Sequence, residues 1–130
     1  MKKRVLVADD SAAMRLILEA TLEEAGYAVT LAVDGRDALS RAIAASSGEG
    51  AFDVVLTDQN MPGLSGVDLI AALRELAAYA GTPILILTTE QGDNVKASAR
   101  DAGANGWLLK PLDPQILTEV LARFDETAGA

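Results

Sequence analysis

Four ionic side chains and one hydroxyl stand where short apolar runs end. Asp9 and Asp10 follow Val5-Leu6-Val7-Ala8, Asp58 follows Val54-Val55-Leu56-Thr57, Thr88 closes Pro83-Ile84-Leu85-Ile86-Leu87, and Lys110 follows Gly106-Trp107-Leu108-Leu109. Three carboxylates brought together repel one another unless a cation sits among them. A hard divalent ion such as Mg²⁺ accepts carboxylate, carbonyl and water oxygens in octahedral geometry. An anion bound against Asp58 would then meet a metal, an ammonium and a hydroxyl. Transfer of a phosphoryl group asks for that set, because it depends mainly on positioning and charge neutralisation. With no cysteine and no histidine in the chain, Asp58 itself is the candidate acceptor, and the product would be an acyl phosphate.

Each residue also has an ordinary explanation. An Asp shortly before Pro62-Gly63 commonly terminates a turn, and Asp9-Asp10 can cap a helix and favour its positive end. Thr88 can be a β-branched strand residue bonded to neighbouring backbone, and a lysine before a proline is ordinarily on the surface. The functional reading rests on their joint placement at one edge of an inferred sheet.

The positioning elements follow from hydrophobic periodicity and turn signals. Val5–Ala8 reads as a buried strand. Ser11 or Asp10 then caps a helix carrying Met14, Ile17, Leu18, Thr21, Leu22 and Ala25 until Gly26 stops it. Tyr27–Leu31 alternates as an outer strand does, and Asp34-Gly35 turns into a helix holding Ala38, Leu39, Ala42 and Ile43. Ser46-Ser47-Gly48-Glu49-Gly50 is a polar connector. After the Asp58 strand, Ser65 or Gly66 opens a helix with Leu69, Ile70, Leu73 and Leu76 inward, ending near Gly81. Pro83–Thr88 is a fourth strand. A weaker helix follows over about Asp93–Ala102, with only Val95, Ala99 and Ala102 as its apolar stripe, and its low burial makes it the candidate movable element. Gly106–Leu109 is a fifth strand. The last helix presents Ile116, Leu117, Val120, Leu121 and Phe124 and ends near Phe124. Five strands alternating with five helices predict an α/β fold, a parallel sheet with helices on both faces and right-handed crossovers. In such a sheet ligands collect at the carboxyl ends of the strands.

Composition narrows the function classes. The 130 residues suit one domain, half of them are hydrophobic and only 4% aromatic, so the core must be Val, Leu, Ile and Ala. A net charge of -8 disfavours nucleic acid and anionic membrane as partners and favours a protein. Without cysteine or histidine there is no disulfide framework, thiolate zinc site, imidazole metal site or His-based triad. The apolar run after Lys2-Lys3-Arg4 is too short for a secretory signal, and no later run reaches membrane-spanning length. A soluble cytoplasmic protein is the expectation.

The motifs Val7-Ala8-Asp9-Asp10-Ser11, Asp58-Gln59-Asn60-Met61-Pro62-Gly63-Leu64-Ser65-Gly66, Leu87-Thr88-Thr89-Glu90 and Leu109-Lys110-Pro111 resemble those of the receiver domains of two-component response regulators, and specifically the single-domain chemotaxis type. The resemblance covers essentially residues 1–130. It implies a flavodoxin-like, CheY-like (βα)5 fold with strand order 2-1-3-4-5, and phosphorylation of Asp58 by a histidine kinase. It implies Mg²⁺ ligated by Asp10, Asp58 and the backbone carbonyl of Asn60, with Asp9 acting largely through water. It further implies a cis Lys110-Pro111 bond, a Thr88 hydroxyl drawn to the phosphoryl group, and an aromatic residue, here Trp107, moving inward behind it. The surface of the fourth helix, fifth strand and fifth helix then binds a target. Asn60 and Glu90 match positions that tune dephosphorylation. Trp107 is bulkier than the usual Tyr or Phe, and Thr89, where Ala or Gly is general, narrows access to Asp58.

Other readings compete. A flavodoxin-like cofactor binder needs a phosphate loop after the first strand, where Asp9-Asp10 would repel phosphate. An aspartyl-phosphate phosphatase needs a second acid two residues beyond the acceptor, and Asn60 stands there. A degenerate, non-phosphorylated interaction module would have lost Asp58, Thr88 or Lys110. Within the receiver reading, the expected monomer could signal to a flagellar motor switch protein. It could also act with a histidine phosphotransfer protein in a relay, or serve its kinase as a phosphate sink.

Overall fold

The computed structural model of the chain describes residues 2–89 and 93–129. Its elements run β1 (Arg4–Ala8), α1 (Ala12–Glu24), β2 (Ala28–Ala32), α2 (Gly35–Ser47), β3 (Val54–Asp58), α3 (Gly66–Arg74), a 3₁₀ turn (Ala77–Tyr79), β4 (Ile84–Thr88), α4 (Asp93–Ala102), β5 (Gly106–Leu109) and α5 (Pro114–Gly129). The five strands are parallel in the order β2-β1-β3-β4-β5, the predicted order. β1, β3 and β4 are central and flanked on both sides, which explains their near-continuous apolar runs.

Alternation along the strands splits the core in two. Leu6, Ala8, Val55, Ile84 and Ile86 face α2 and α3, meeting Ala38, Ala42, Leu69, Ile70 and Leu73. Val5, Val7, Val54, Leu56, Leu85 and Leu87 face α1 and α5, meeting Leu18, Leu22, Leu117 and Leu121. Nearly all these side chains are fully buried. At about 25 cal/mol per Å² of apolar surface, the two layers are the main stabilising contribution.

Three helix starts are set by local chemistry. The side chains of Ser11, Asp34 and Ser65 accept from the backbone N–H groups of Met14, Asp37 and Asp68, satisfying donors that a helix leaves orphaned.

Other expectations need correction. α2 continues through Ser46 and Ser47, which were read as connector. α3 does not reach Gly81: it ends at Arg74, Leu76 is extended, and a separate 3₁₀ turn follows. The cause is Tyr79, which is fully buried. Its hydroxyl donates to the Ala42 carbonyl at 2.7 Å and accepts from the Phe52 N–H at 3.3 Å. A straight helix would not deliver the ring there. Arg74 secures the break by donating to the carbonyls of Tyr79 and Gly103 and to Asn105 Oδ1. Ile17, Ile43 and Ile116, expected in the apolar patterns of the first, second and last helices, are 54%, 46% and 49% exposed. α5 runs five residues beyond Phe124, to Gly129. Val95, named for the α4 stripe, has a side chain outside those described.

Tyr79→Phe tests the long-range tie. Removing the hydroxyl leaves two buried backbone groups without their partner, at a cost of about 2 kcal/mol. For a domain of this size the melting temperature should fall by roughly 6–10 °C, read by thermal unfolding followed by circular dichroism.

Candidate functional site

The carboxyl edge of the sheet collects the predicted residues. β1 ends at Ala8, and Asp9 follows with its N–H donated to the Ala32 carbonyl at 3.2 Å. β3 ends on Asp58 itself, in register with Leu87 of β4. β4 ends on Thr88, in register with Leu109 of β5. The N–H of Lys110 donates to the Thr88 carbonyl at 2.9 Å, and a cis peptide joins Lys110 to Pro111.

Carboxylate oxygens of Asp9, Asp10 and Asp58 lie within 4.8 Å of one another. Asp9 and Asp58 are buried, at 0% and 5% exposure, whereas Asp10 is exposed. Lys110 Nζ is 3.0 Å from Asp58 Oδ1 and 3.5 Å from Asp9 Oδ2. Asp9 Oδ1 accepts from the Ser11 N–H at 2.9 Å. One ammonium thus serves two buried carboxylates, with a third close by.

The electrostatics follow. Burial pushes the Asp58 carboxyl above the ordinary carboxylate range; the Lys110 hydrogen bond and charge oppose this, and the charges of Asp9 and Asp10 reinforce it. Burial alone would lower the Lys110 ammonium, but its hydrogen bond to Asp58 and the charges of Asp58 and Asp9 outweigh that and raise it. Oxygen donors clustered in excess over one ammonium suit a hard divalent cation such as Mg²⁺.

The neighbouring backbone is built to hold Asp58 in place. The Thr57 hydroxyl donates to the Asp58 carbonyl at 3.0 Å. α3 starts hard against the same group: a Cβ on Gly66 would lie 2.4 Å from the Asp58 carbonyl oxygen, so only glycine fits. Gln59 ties the two together, its carbonyl accepting from Gly66 N–H and its Oε1 from Val67 N–H, each at 3.0 Å. A Cβ on Gly35 would lie 2.4 Å from the Leu64 carbonyl oxygen, so the start of α2 abuts the loop between β3 and α3.

The structure therefore brings Asp9, Asp10, Asp58 and Lys110 together and sets the buried Thr88 at the adjoining strand end. Asn60 is exposed in the β3–α3 loop, and Thr89 is exposed just beyond β4. Glu90 lies outside the described residues. Trp107 is 39% exposed, with Lys96 Nζ 5.1 Å from its ring centroid, within cation–π range. Sequence reasoning missed Arg15, whose Nη1 donates to the Asp9 carbonyl at 2.8 Å. The available signal was a cation early in a helix, where the dipole disfavours it.

This edge and this sheet order belong to a recognised class. The profile of the family described as "Response regulator receiver domain" matches residues 5–122, and the chain belongs to that family. It is 36% identical over 119 residues to the Helicobacter pylori chemotaxis protein CheY1, spanning 91% of this chain and 93% of that one. The structure of Vibrio cholerae chemotaxis protein CheY4 matches with a TM-score of 0.87 and 41% identity, over 95% of this chain and 98% of that one. The receiver domain of the Pseudomonas aeruginosa sensor histidine kinase PA1611, which has a magnesium ion coordinated in its active-site cleft, matches with a TM-score of 0.82 and 30% identity, over 95% and 97% of the two chains. Receiver domains are phosphoacceptor switches of two-component signalling, distinct from turnover enzymes. Among the described residues no helix is long and apolar enough to cross a membrane.

Proposed function

We propose that residues 1–130 act as one receiver domain, a cytoplasmic, monomeric switch that accepts a phosphoryl group on Asp58 from a histidine kinase and passes the signal to a target protein. The observation that carries this reading is the Asp58 carboxylate, buried at a strand end, 3.0 Å from Lys110 and grouped with Asp9 and Asp10. Mg²⁺ would be held by Asp10, Asp58 and the Asn60 backbone carbonyl, with Asp9 acting through water. When bound it supplies neutralisation of the phosphoryl oxygens.

The chain's own groups do the rest. Lys110 holds Asp58 Oδ1 and offers its charge to the incoming phosphoryl group. An Asp58 oxygen forms the new bond to phosphorus while the phosphorus–nitrogen bond of the donor phosphohistidine breaks, and the leaving imidazole keeps the bonding electrons and takes a proton. Asn60, Glu90 and Thr89 set how readily water later reaches phosphorus. Thr88 then turns its hydroxyl to the phosphoryl group, and Trp107 leaves its exposed position to fill the space behind it. Trp107 lies near exposed Leu109 and Ile116, in a groove that includes Pro111 and Leu112. Reshaping this apolar patch of β5 and α5, with α4 beside it, changes affinity for the target. Reversing a 1:99 population to 99:1 needs about 5.5 kcal/mol of difference between the two states.

Similarity to chemotaxis proteins along nearly the full chain supports a flagellar motor switch protein as the target. Similarity to a kinase-borne receiver favours a second reading, a relay with a histidine phosphotransfer protein or a phosphate sink. A non-phosphorylated interaction module is the weaker reading, because Asp58, Thr88 and Lys110 are all in place. Intact-protein mass spectrometry after incubation with acetyl phosphate tests the proposal: one phosphoryl adduct is expected with Mg²⁺ and none without it. No adduct from acetyl phosphate or from a phosphorylated histidine kinase, in rapidly quenched samples, would overturn it.

A further inference from the structure

Arg15 is the fourth residue of α1, where the positive end of the helix dipole disfavours a cation, and no acidic residue in the first turn offsets it. The residue is nonetheless half-buried, and Nη1 donates to the Asp9 carbonyl at 2.8 Å. That carbonyl belongs to the peptide joining Asp9 to Asp10. Because a peptide is planar, the direction of the carbonyl fixes the direction in which the Asp10 backbone departs. Asp9 is anchored separately, its N–H on the Ala32 carbonyl and its carboxylate on the Ser11 N–H and Lys110. Asp10 is exposed, and the peptide after it is held by the Ser11 N–H on the Asp9 carboxylate, so the Arg15 bond fixes the other of the two planes that orient it.

We propose that Arg15 is a positioning residue that locks the Asp9–Asp10 peptide plane and so holds the Asp10 carboxylate ready for a divalent cation beside Asp9 and Asp58. This rests on the Mg²⁺ reading above. Two effects of opposite sign compete at Arg15. As a positive charge near a cation site it weakens binding, and as a clamp on the peptide it strengthens binding by sparing the loop the entropy of ordering. A charge-assisted bond to a carbonyl is directional and survives salt, whereas repulsion across solvent is screened. The clamp should therefore prevail, and the sign of the change distinguishes the two.

The experiment uses Mn²⁺ as the probe and counts the free ion by electron paramagnetic resonance, in the whole chain and without a phosphoryl donor. Arg15→Met is expected to weaken Mn²⁺ binding roughly tenfold, the lower end of the loss seen when a group orienting a metal ligand is removed. Arg15→Lys, which keeps the charge and a donor, is expected to recover most of that affinity. If Arg15→Met does not fold, Arg15→Gln, neutral and shorter, carries the same expectation. Unchanged or tighter Mn²⁺ binding in the neutral variant overturns the proposal. So does a lowered urea midpoint of the metal-free protein with no change in Mn²⁺ affinity, which would make Arg15 purely structural. A parent chain that binds no Mn²⁺ overturns the Mg²⁺ reading itself.

Discussion

Asp58→Asn is expected to lose the phosphoryl adduct altogether and, without metal, to unfold at a higher temperature than the parent. The first outcome follows if Asp58 is the acceptor, since an amide oxygen cannot displace the leaving group under these conditions. A mutant that still takes up one phosphoryl group would remove Asp58 from that role. The second outcome is electrostatic. Asp9, Asp10 and Asp58 share a site with one ammonium, so removing one carboxylate relieves repulsion, and Lys110 keeps Asp9 as a partner at 3.5 Å. A gain of about 1 kcal/mol is in keeping with neutral replacement of a poorly compensated buried charge.

The pH dependence has a definite sign. Folding raises the Asp58 carboxyl, so the native chain holds that proton more tightly than the unfolded chain. The associated stability is fully present below the ordinary carboxylate value and is lost as pH rises through the raised one. The gain in Asp58→Asn should therefore appear near neutrality and vanish in acid. Added Mg²⁺ should stabilise the parent more than the mutant. A mutant less stable than the parent at neutral pH without metal would contradict this account.

Lys110→Met should act in the opposite direction and more strongly. It leaves Asp9 and Asp58 buried without the cation that both face, and stripping one partner from a buried ion pair costs about 3 kcal/mol. The melting temperature of the metal-free protein should drop by roughly 10–15 °C. Mg²⁺ should recover a larger share of stability than in the parent, because it then replaces the cation that both buried carboxylates face. Calorimetry with and without Mg²⁺ reads both effects, and equal stabilisation of parent and variant by Mg²⁺ would refute the shared-charge account.

The five strands and the starts of the first three helices were legible because their causes are local: apolar runs ended by Asp58 or Thr88, and Ser11 or Asp10, Asp34-Gly35, and Ser65 or Gly66 at the openings, of which Ser11, Asp34 and Ser65 receive the orphaned N–H. The end of α3 was not legible. It is decided by Tyr79 reaching a carbonyl 37 residues earlier in the chain, which no local window contains. Ile17, Ile43 and Ile116 show the limit of periodicity, because apolar spacing marks a helical face without saying how far the neighbouring layer extends over it. Within the site, Asp9, Asp10, Asp58, Thr88 and Lys110 could be grouped because each ends or follows a strand. The Asn60 carbonyl carries no side-chain signal, and its assignment came from resemblance alone. Arg15 was passed over because a bond to backbone leaves no partner residue to notice.

Lys110 depends on the weakest margin of the sheet. β5 is an edge strand of four residues, pairs only with β4, and has two of its four side chains exposed. A short edge strand opens with a lower free energy than the central strands, in fluctuations well short of global unfolding. Such an opening would carry the ammonium away from Asp58 and Asp9 while the three acids stay at the carboxyl ends of β1 and β3. In that state the fold would persist and the charge balance would not. Amide exchange at Leu108 and Lys110 measures how often that happens, and a ligand that bridges the acids and Lys110 would slow it without touching β5.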